Sequence, residues 1–432
     1  MVDINNKKSI ALLYEDVRTH LLNAVLSFWC EHTRDTVNGG YTTALDRTGK
    51  PLKSEREKNM WMQARQIWMF SRIYIDIEHD EKWLNLAEHG CVFLLSSAAY
   101  AGKGRWNYLL SEDGTQVLKG SISIFTDAFV LMALCAYAEA VQKKAAGING
   151  TAYANKAVGK ISQPPAELAE LIEDTFAALV HNMSDENFQD IFPHVYRKGI
   201  VHHGIYMICM NALSEASGII GYKRTDPYIR FCLDKLFCII KAPDAHYFLE
   251  YKYADGCILE EDSGCILNPG HNFESLWFIL KEVQRLKLDA YYREAVNMLY
   301  TVWELARDRQ YGGVVYMLDT RSRAPSLQDW NKERNLQWNE KVWWTHAEAL
   351  CALAAYMCIQ SDQKLADEFE RLWRYCLEHF WDKDYNEWYS VLHADGSVRI
   401  DNKGGLQKAA FHIPRSLYSI CLFLKEKERA LV

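Results

Sequence analysis

Four short stretches of this 432-residue chain bring together residues able to move protons and hold a polar ligand. The first, Gly264 to Leu280, reads GCILNPGHNFESLWFIL. Asn268 suits a helix N-cap and Pro269 the first helical position, where a missing N–H costs nothing. Phe273, Leu276, Trp277 and Leu280 then recur at helical spacing as an apolar stripe, while His271 and Glu274 fall on another line. The second stretch, Trp61 to Trp68, puts Arg65 on one helical stripe with Trp61 and Trp68, the pattern of a cation–π stack or of a ligand clamp. The third, KVWWTHAE, has Trp343 and Trp344 before a helix start with Thr345 as its N-cap, and Glu348 one turn beyond Trp344. In the fourth, AFHIPR, Pro414 reads as the first helical residue, with His412 just ahead of it. Each stretch also has a purely structural reading, as a capping histidine or as a first-turn carboxylate favoured by the helix dipole. Two imidazoles, two carboxylates and an arginine among tryptophans together amount to acid–base groups in a polar site.

Other chemistries leave no trace. There is no Gly-x-x-x-x-Gly-Lys phosphate loop, Gly-x-Gly-x-x-Gly turn, His-Glu-x-x-His metal helix or Gly-x-Ser-x-Gly elbow. No metal set is apparent. The net charge of -7 and the lack of a basic block argue against nucleic acid and anionic membranes as partners. The N-terminal stretch has neither signal-peptide nor anchor character, and no run approaches the ~18 uninterrupted apolar residues of a membrane span. Twelve cysteines without a Cys-x-x-Cys pair fit small core residues in a reducing, cytoplasmic setting. The 14 Trp, 24 Tyr and 17 Phe supply core, and also flat faces suited to stacking on sugar rings.

The elements that must position these residues are mostly helices. Periodicity predicts about a dozen: 14–32, 58–77, 82–98, 127–144, 167–183, 204–218, 227–240, 269–286, 291–307, 345–360, 364–379 and 414–426. Turn-rich segments with β alternation lie between helix pairs: GGYTTALDRTGKPL, RWNYLLSEDGTQVL, YGGVVYMLDTRSRAP and EWYSVLHADGSVRI. The stretch 145–165 reads as a looser excursion containing a short helix. Helical hairpins repeated six times predict a closed ring, an all-α (α/α)6 barrel with short β-hairpins in its loops, as one domain over residues 1–432.

With these motifs in this order, from NGGYTTALD and WMQARQIWMFSRIY through NPGHNFESLWFIL, YGGVVYMLD and VWWTHAEAL to NEWYSVLHADG and KAAFHIPRSLY, the chain resembles the N-acylglucosamine 2-epimerases, also called renin-binding proteins. The likeness runs over nearly the whole chain and implies an (α/α)6 barrel. It implies interconversion of N-acetyl-D-mannosamine and N-acetyl-D-glucosamine, with His271 and His412 as acid and base. It implies a sugar site lined by Arg65, Glu274, Trp343, Trp344 and Glu348, no required cofactor or metal, ATP as a possible activator, and a homodimer. In a bacterium such an enzyme would serve sialic-acid breakdown. Related disaccharide epimerases and aldose–ketose isomerases resemble one another in a third histidine on the third inner helix. Here Ala212 stands at that place and Ile208 replaces a polar Asn, which favours an N-acyl substrate, with His202 and His203 nearby in the chain. The rivals are an aldose–ketose isomerase or 2-epimerase for mannose-like or disaccharide sugars, a glycosidase using Glu274 and Glu348, and a protease-binding protein.

Overall fold

The computed structural model describes residues 2–147, 166–325 and 336–431. The predicted excursion over 145–165 falls almost entirely outside them.

Helices dominate. They are α1 (Lys7–His20), α2 (Ser27–His32), α3 (Met60–Asp76), α4 (Glu81–Ser96), α5 (Ile124–Ala145), α6 (Ala166–Ser184), α7 (His203–Ile220), α8 (Tyr222–Asp234), α9 (Pro269–Arg285), α10 (Asp289–Ala306), α11 (Trp343–Gln360), α12 (Gln363–Tyr375) and α13 (His412–Ala430). A π-helical segment, Leu21–Leu26, joins α1 to α2 in one rod, and similar segments extend α8 (Lys235–Ile240) and α12 (Cys376–Phe380).

Packing sorts these rods into two rings. Helices α3, α5, α7, α9, α11 and α13 touch in sequence, and α13 returns to α3 to close the inner ring. Each inner helix packs on one outer helix, and α1 closes the set against α13. This is the (α/α)6 barrel that the helix count predicts. The amino-acid pattern decides the ring. Helices α5 and α11 are buried on nearly every face, as wall shared with two inner neighbours and an outer one must be. Outer helix α12 buries only Leu365, Ala366, Phe369, Leu372, Trp373 and Tyr375, one stripe at helical spacing. Helix α5 is long and apolar enough to cross a bilayer, yet most of it is packed inside the protein.

Side-chain capping fixes several helix starts. Asn59, Asp80, Asn268 and Asp362 each accept a backbone N–H from the first turn that follows. Several starts differ from the sequence expectation. Helix α1 begins at Lys7 because Asn6 caps it. Helix α11 begins at Trp343, so Thr345 lies within its first turn rather than at the cap, and Val342 occupies the cap position without a side-chain bond. Helix α13 begins at His412, two residues before Pro414. Helix α8 starts at Tyr222 and carries Pro227 inside it. At the sixth helical position the proline forgoes one intrahelical N–H bond.

Of the β segments, RWNYLLSEDGTQVL and EWYSVLHADGSVRI form hairpins, Leu109–Leu110 with Val117–Lys119 and Val391–Leu392 with Val398–Ile400. The other two differ. YGGVVYMLD pairs at long range, Leu318–Asp319 against Ile266–Leu267, and GGYTTALDRTGKPL makes only isolated bridges. Short strands lead directly into four inner helices: Lys58–Asn59 into α3, Ile200–His202 into α7, Ile266–Leu267 into α9 and Lys341–Val342 into α11. These loop sheets brace one end of the barrel, where the inner helices begin.

Candidate active site

The opening turns of all six inner helices line one cavity of about 670 Å³, with Trp61 and Arg65 from α3, Phe125 from α5, Met207 from α7, His271 and Glu274 from α9, Trp343 and Trp344 from α11, and His412 from α13. Helix N-termini carry partial positive charge, so this mouth favours anions.

The Asn-Pro-Gly-His-Asn run builds the first histidine. Asn268 accepts the His271 backbone N–H at 3.2 Å. Gly270 backs onto the Trp344 ring, and a Cβ there would fall 2.2 Å from Trp344 Cζ3. Asn272 reaches out of the helix to a neighbouring loop, accepting from Phe248 N at 2.8 Å and donating to Phe248 O at 3.0 Å. That clamp fixes the segment carrying Glu250, whose two oxygens lie 3.0 and 2.9 Å from His271 Nδ1. With Nδ1 on the carboxylate, the opposite edge of the ring, bearing Nε2, is turned toward the cavity. Burial alone would raise the Glu250 carboxyl, but His271 and His203 outweigh it and hold Glu250 well below the usual carboxylate range.

His412 repeats the design. Its Nδ1 lies 2.7 Å from Glu348 Oε1. Glu348 is completely buried, accepts Trp277 Nε1 at 2.8 Å, and takes Arg415 Nη2 at 2.6 Å. The same Arg415 nitrogen bonds Glu274. The two dyads therefore differ in charge: among the described residues, Glu348 is balanced by a guanidinium, whereas the Glu250 carboxylate meets imidazoles. Burial pushes His412 well below the ordinary histidine range, and Arg65 and Arg415 add to the effect against the opposing pull of Glu274. Trp344 stands beside both histidines, with ring centroids 5.3 Å from His271 and 5.6 Å from His412.

Arg65 satisfies both readings of its stripe. Its guanidinium lies 4.0 Å from the Phe129 ring centroid, 4.6 Å from Phe411 and 5.7 Å from Trp61, and it also lines the cavity. Burial draws its pKa down to about 9, which still leaves it cationic at neutral pH. Trp68 turns away and donates to Glu215 at 3.1 Å.

Six of the seven residues singled out from the sequence line the cavity; Glu348 does not, and stands behind His412. Sequence reading gave no role to Glu250, which is 21 residues from His271 in the chain, or to Arg415. The arginine belongs to a quoted motif, but only the fold shows that it joins two carboxylates. Ile208 lines the cavity, and His203 is fully buried behind His271, bonded to Ser275 Oγ at 2.7 Å and 3.6 Å from Glu250.

Among the described residues, two groups have donors close enough for a cation: His203, Glu250 and His271, and Glu274, Glu348 and His412. In the second, the Arg415 guanidinium already bridges both carboxylates. That bridge also argues against a glycosidase, which needs two carboxyl groups facing each other across a sugar bond.

Comparison with known proteins agrees with this architecture. The chain is 28% identical over 406 residues to the N-acylglucosamine 2-epimerase of Rattus norvegicus, covering 92% of this chain and 88% of the rat protein. Its fold is similar to the cellobiose 2-epimerase of Spirochaeta thermophila, with TM-score 0.76, 18% identity and 98% of each chain covered. It is also similar to a D-mannose isomerase, with TM-score 0.74, 15% identity, and 96% of this chain and 98% of that one covered. Residues 39–415, which carry the cavity and both imidazole–carboxylate dyads, match the profile described as N-acylglucosamine 2-epimerase (GlcNAc 2-epimerase), and the chain belongs to that family of carbohydrate epimerases.

Proposed function

We propose that the protein interconverts N-acetyl-D-mannosamine and N-acetyl-D-glucosamine through deprotonation and reprotonation at C2, with His271 and His412 as the two proton carriers. The observation that carries this reading is the pair of dyads: two imidazoles in one cavity, each held at Nδ1 by a buried carboxylate and both beside Trp344.

Ring opening places the C2 proton α to the C1 aldehyde and so makes it acidic. One imidazole removes it, the electrons pass through C1 to O1, and the other imidazole protonates C2 from the opposite face. A positioned base or acid contributes ~10²–10⁴-fold. His412, kept neutral by burial between cations, is the resting base. His271, facing the unbalanced Glu250 carboxylate, is the resting acid. Their roles exchange in the reverse direction. The enediolate carries negative charge beside Arg65 and the helix N-termini, in a partly dewatered site where such charge is best stabilised. Glu348 acts through His412 as a positioning residue. Arg65, Glu274, Trp343 and Trp344 offer hydrogen bonds and flat faces to the sugar. The reducing cytoplasm is the proposed setting, a homodimer the proposed assembly and ATP a proposed activator.

Proton NMR of N-acetylmannosamine with the enzyme in D2O tests the reading. The expected result is N-acetylglucosamine labelled at C2, with His271→Asn and His412→Asn each lowering its rate at least a hundredfold. A ketose product, or unlabelled sugar with and without ATP, would overturn it.

A further inference from the structure

Beside the His271–Glu250 dyad runs a second wall of the same cavity, built from α5, α7, the strand entering α7 and the segments that carry His194 and Tyr251. It is a continuous run of rings. Phe125 lies 5.6 Å from Trp61 and 5.8 Å from His194, His194 lies 4.6 Å from His202, and His202 lies 5.0 Å from Tyr251, centroid to centroid. Gly204, in the first turn of α7, lies in this wall, within ordinary contact of His194 and Phe125. Met207 and Ile208 continue the surface, both buried and both lining the cavity.

His202 is the anomaly in this wall. It is 3% exposed and lines the cavity, yet neither ring nitrogen has a hydrogen-bond partner among the described residues. Buried polar groups are normally paired, and an orphan in a cavity wall marks a place where a ligand can supply the partner. Burial draws its pKa down to about 4, so at neutral pH it offers one N–H donor and one nitrogen acceptor. A secondary amide has the complementary pair, a C=O acceptor and an N–H donor.

The chemistry at the dyads says where an amide must go. When two bases serve opposite faces of C2, the planar intermediate leaves C1, C3 and the nitrogen in the plane between them. The nitrogen substituent therefore points away from both histidines. Resting on the epimerase reading, we propose that this wall is the N-acyl subsite, with the acyl amide hydrogen-bonded to His202 and the acyl chain against Phe125, Met207 and Ile208. A short saturated acyl group has the apolar surface those three side chains match. An unmodified hexose would place a hydroxyl there and leave it facing methyl and thioether groups, which disfavours it.

The test pairs two variants with a series of acyl chain lengths. His202→Phe keeps the ring and removes both nitrogens. It should raise KM for N-acetylmannosamine tenfold or more, with the loss falling on KM rather than kcat. His202→Gln, which restores a donor and an acceptor, should recover most of that loss. Ile208→Ala enlarges the acyl end and should raise the ratio of kcat/KM for N-butanoyl- over N-acetylmannosamine at least fivefold. If His202→Phe lowers kcat at constant KM, or Ile208→Ala leaves the chain-length ratio within twofold of wild type, the subsite lies elsewhere. Circular dichroism checks folding, and if His202→Phe does not fold, His202→Gln and the Ile208→Ala ratio decide. Wild-type protein inert toward N-acetylmannosamine removes the epimerase reading and this inference with it. Active wild type with an unchanged ratio overturns this inference alone.

Discussion

Replacing Glu250 by glutamine isolates the one dyad carboxylate that no arginine balances. Both of its oxygens lie within 3.0 Å of His271 Nδ1. Glutamine keeps the shape and one acceptor oxygen but removes the charge. A hydrogen bond to a charged group contributes about 1.5–3 kcal/mol and a neutral one about 0.5–1.5, so the imidazolium loses about 1–1.5 kcal/mol. At 1.36 kcal/mol per tenfold, that is a fall in kcat/KM of about 5–15-fold for a histidine that must hold a proton in each turnover. Initial rates of N-acetylglucosamine formation, followed by NMR, measure it. The Glu250→Gln protein should unfold within a few degrees of wild type, because the side chain stays buried with the same volume. Asn272→Ala, which loosens the Phe248 clamp without touching either dyad residue, should lower the rate in the same direction. A Glu250→Gln enzyme within twofold of wild type would show that the carboxylate does not support the His271 proton, and the resting acid would have to be assigned elsewhere.

Three further outcomes follow from the same geometry. Arg415→Met leaves Glu274 and Glu348 buried without their shared cation, so stability should fall by about 3–5 kcal/mol in a urea titration, and Lys should rescue it poorly because one ammonium cannot reproduce the planar fork. Gly270→Ala drives a methyl into the Trp344 ring, so it should cost about 1–3 kcal/mol by overpacking and also reduce kcat/KM, since Trp344 spaces the two histidines; unchanged kinetics would show the ring to be dispensable. Burial lowers His20 and His202 to about 4 and His346 to about 3, from 6.5 in the unfolded chain. Below pH 6.5 the unfolded chain binds these protons and the folded one does not, so stability is full above that pH and falls as pH drops. The loss is about 3 kcal/mol for the three groups between pH 6.5 and 5.5, and thermal melts across that window should show it. A melting temperature constant from pH 7 to 5 would mean that these rings pick up protons without unfolding.

Local and repeated information was legible in the chain itself. Helical periodicity named twelve rods, and their pairing implied a ring, because amphipathic hairpins bury their stripes only against one another. Local chemistry placed His271 correctly: Asn268, Pro269 and the apolar stripe define a helix start in which residue 271 must lie in the first turn. Ordered motifs pointed to Arg65, Glu274, Trp343, Trp344 and His412, all of which meet in one cavity.

Only the tertiary structure decided what each of these residues works against. Glu250 meets His271 because Asn272 clamps a loop from another hairpin, a contact that no spacing encodes. Glu348, expected at the sugar, lies behind His412, where Trp277 and Arg415 from two other inner helices meet its carboxylate. His202, noted in the chain only for its place near the missing third histidine, becomes a buried orphan in the cavity wall once α5 and α7 close around it. The physical reason is common to all three: helix period and capping act within about one turn of the chain, whereas the charge and hydration around a side chain are set by whichever segments the closed barrel brings against it.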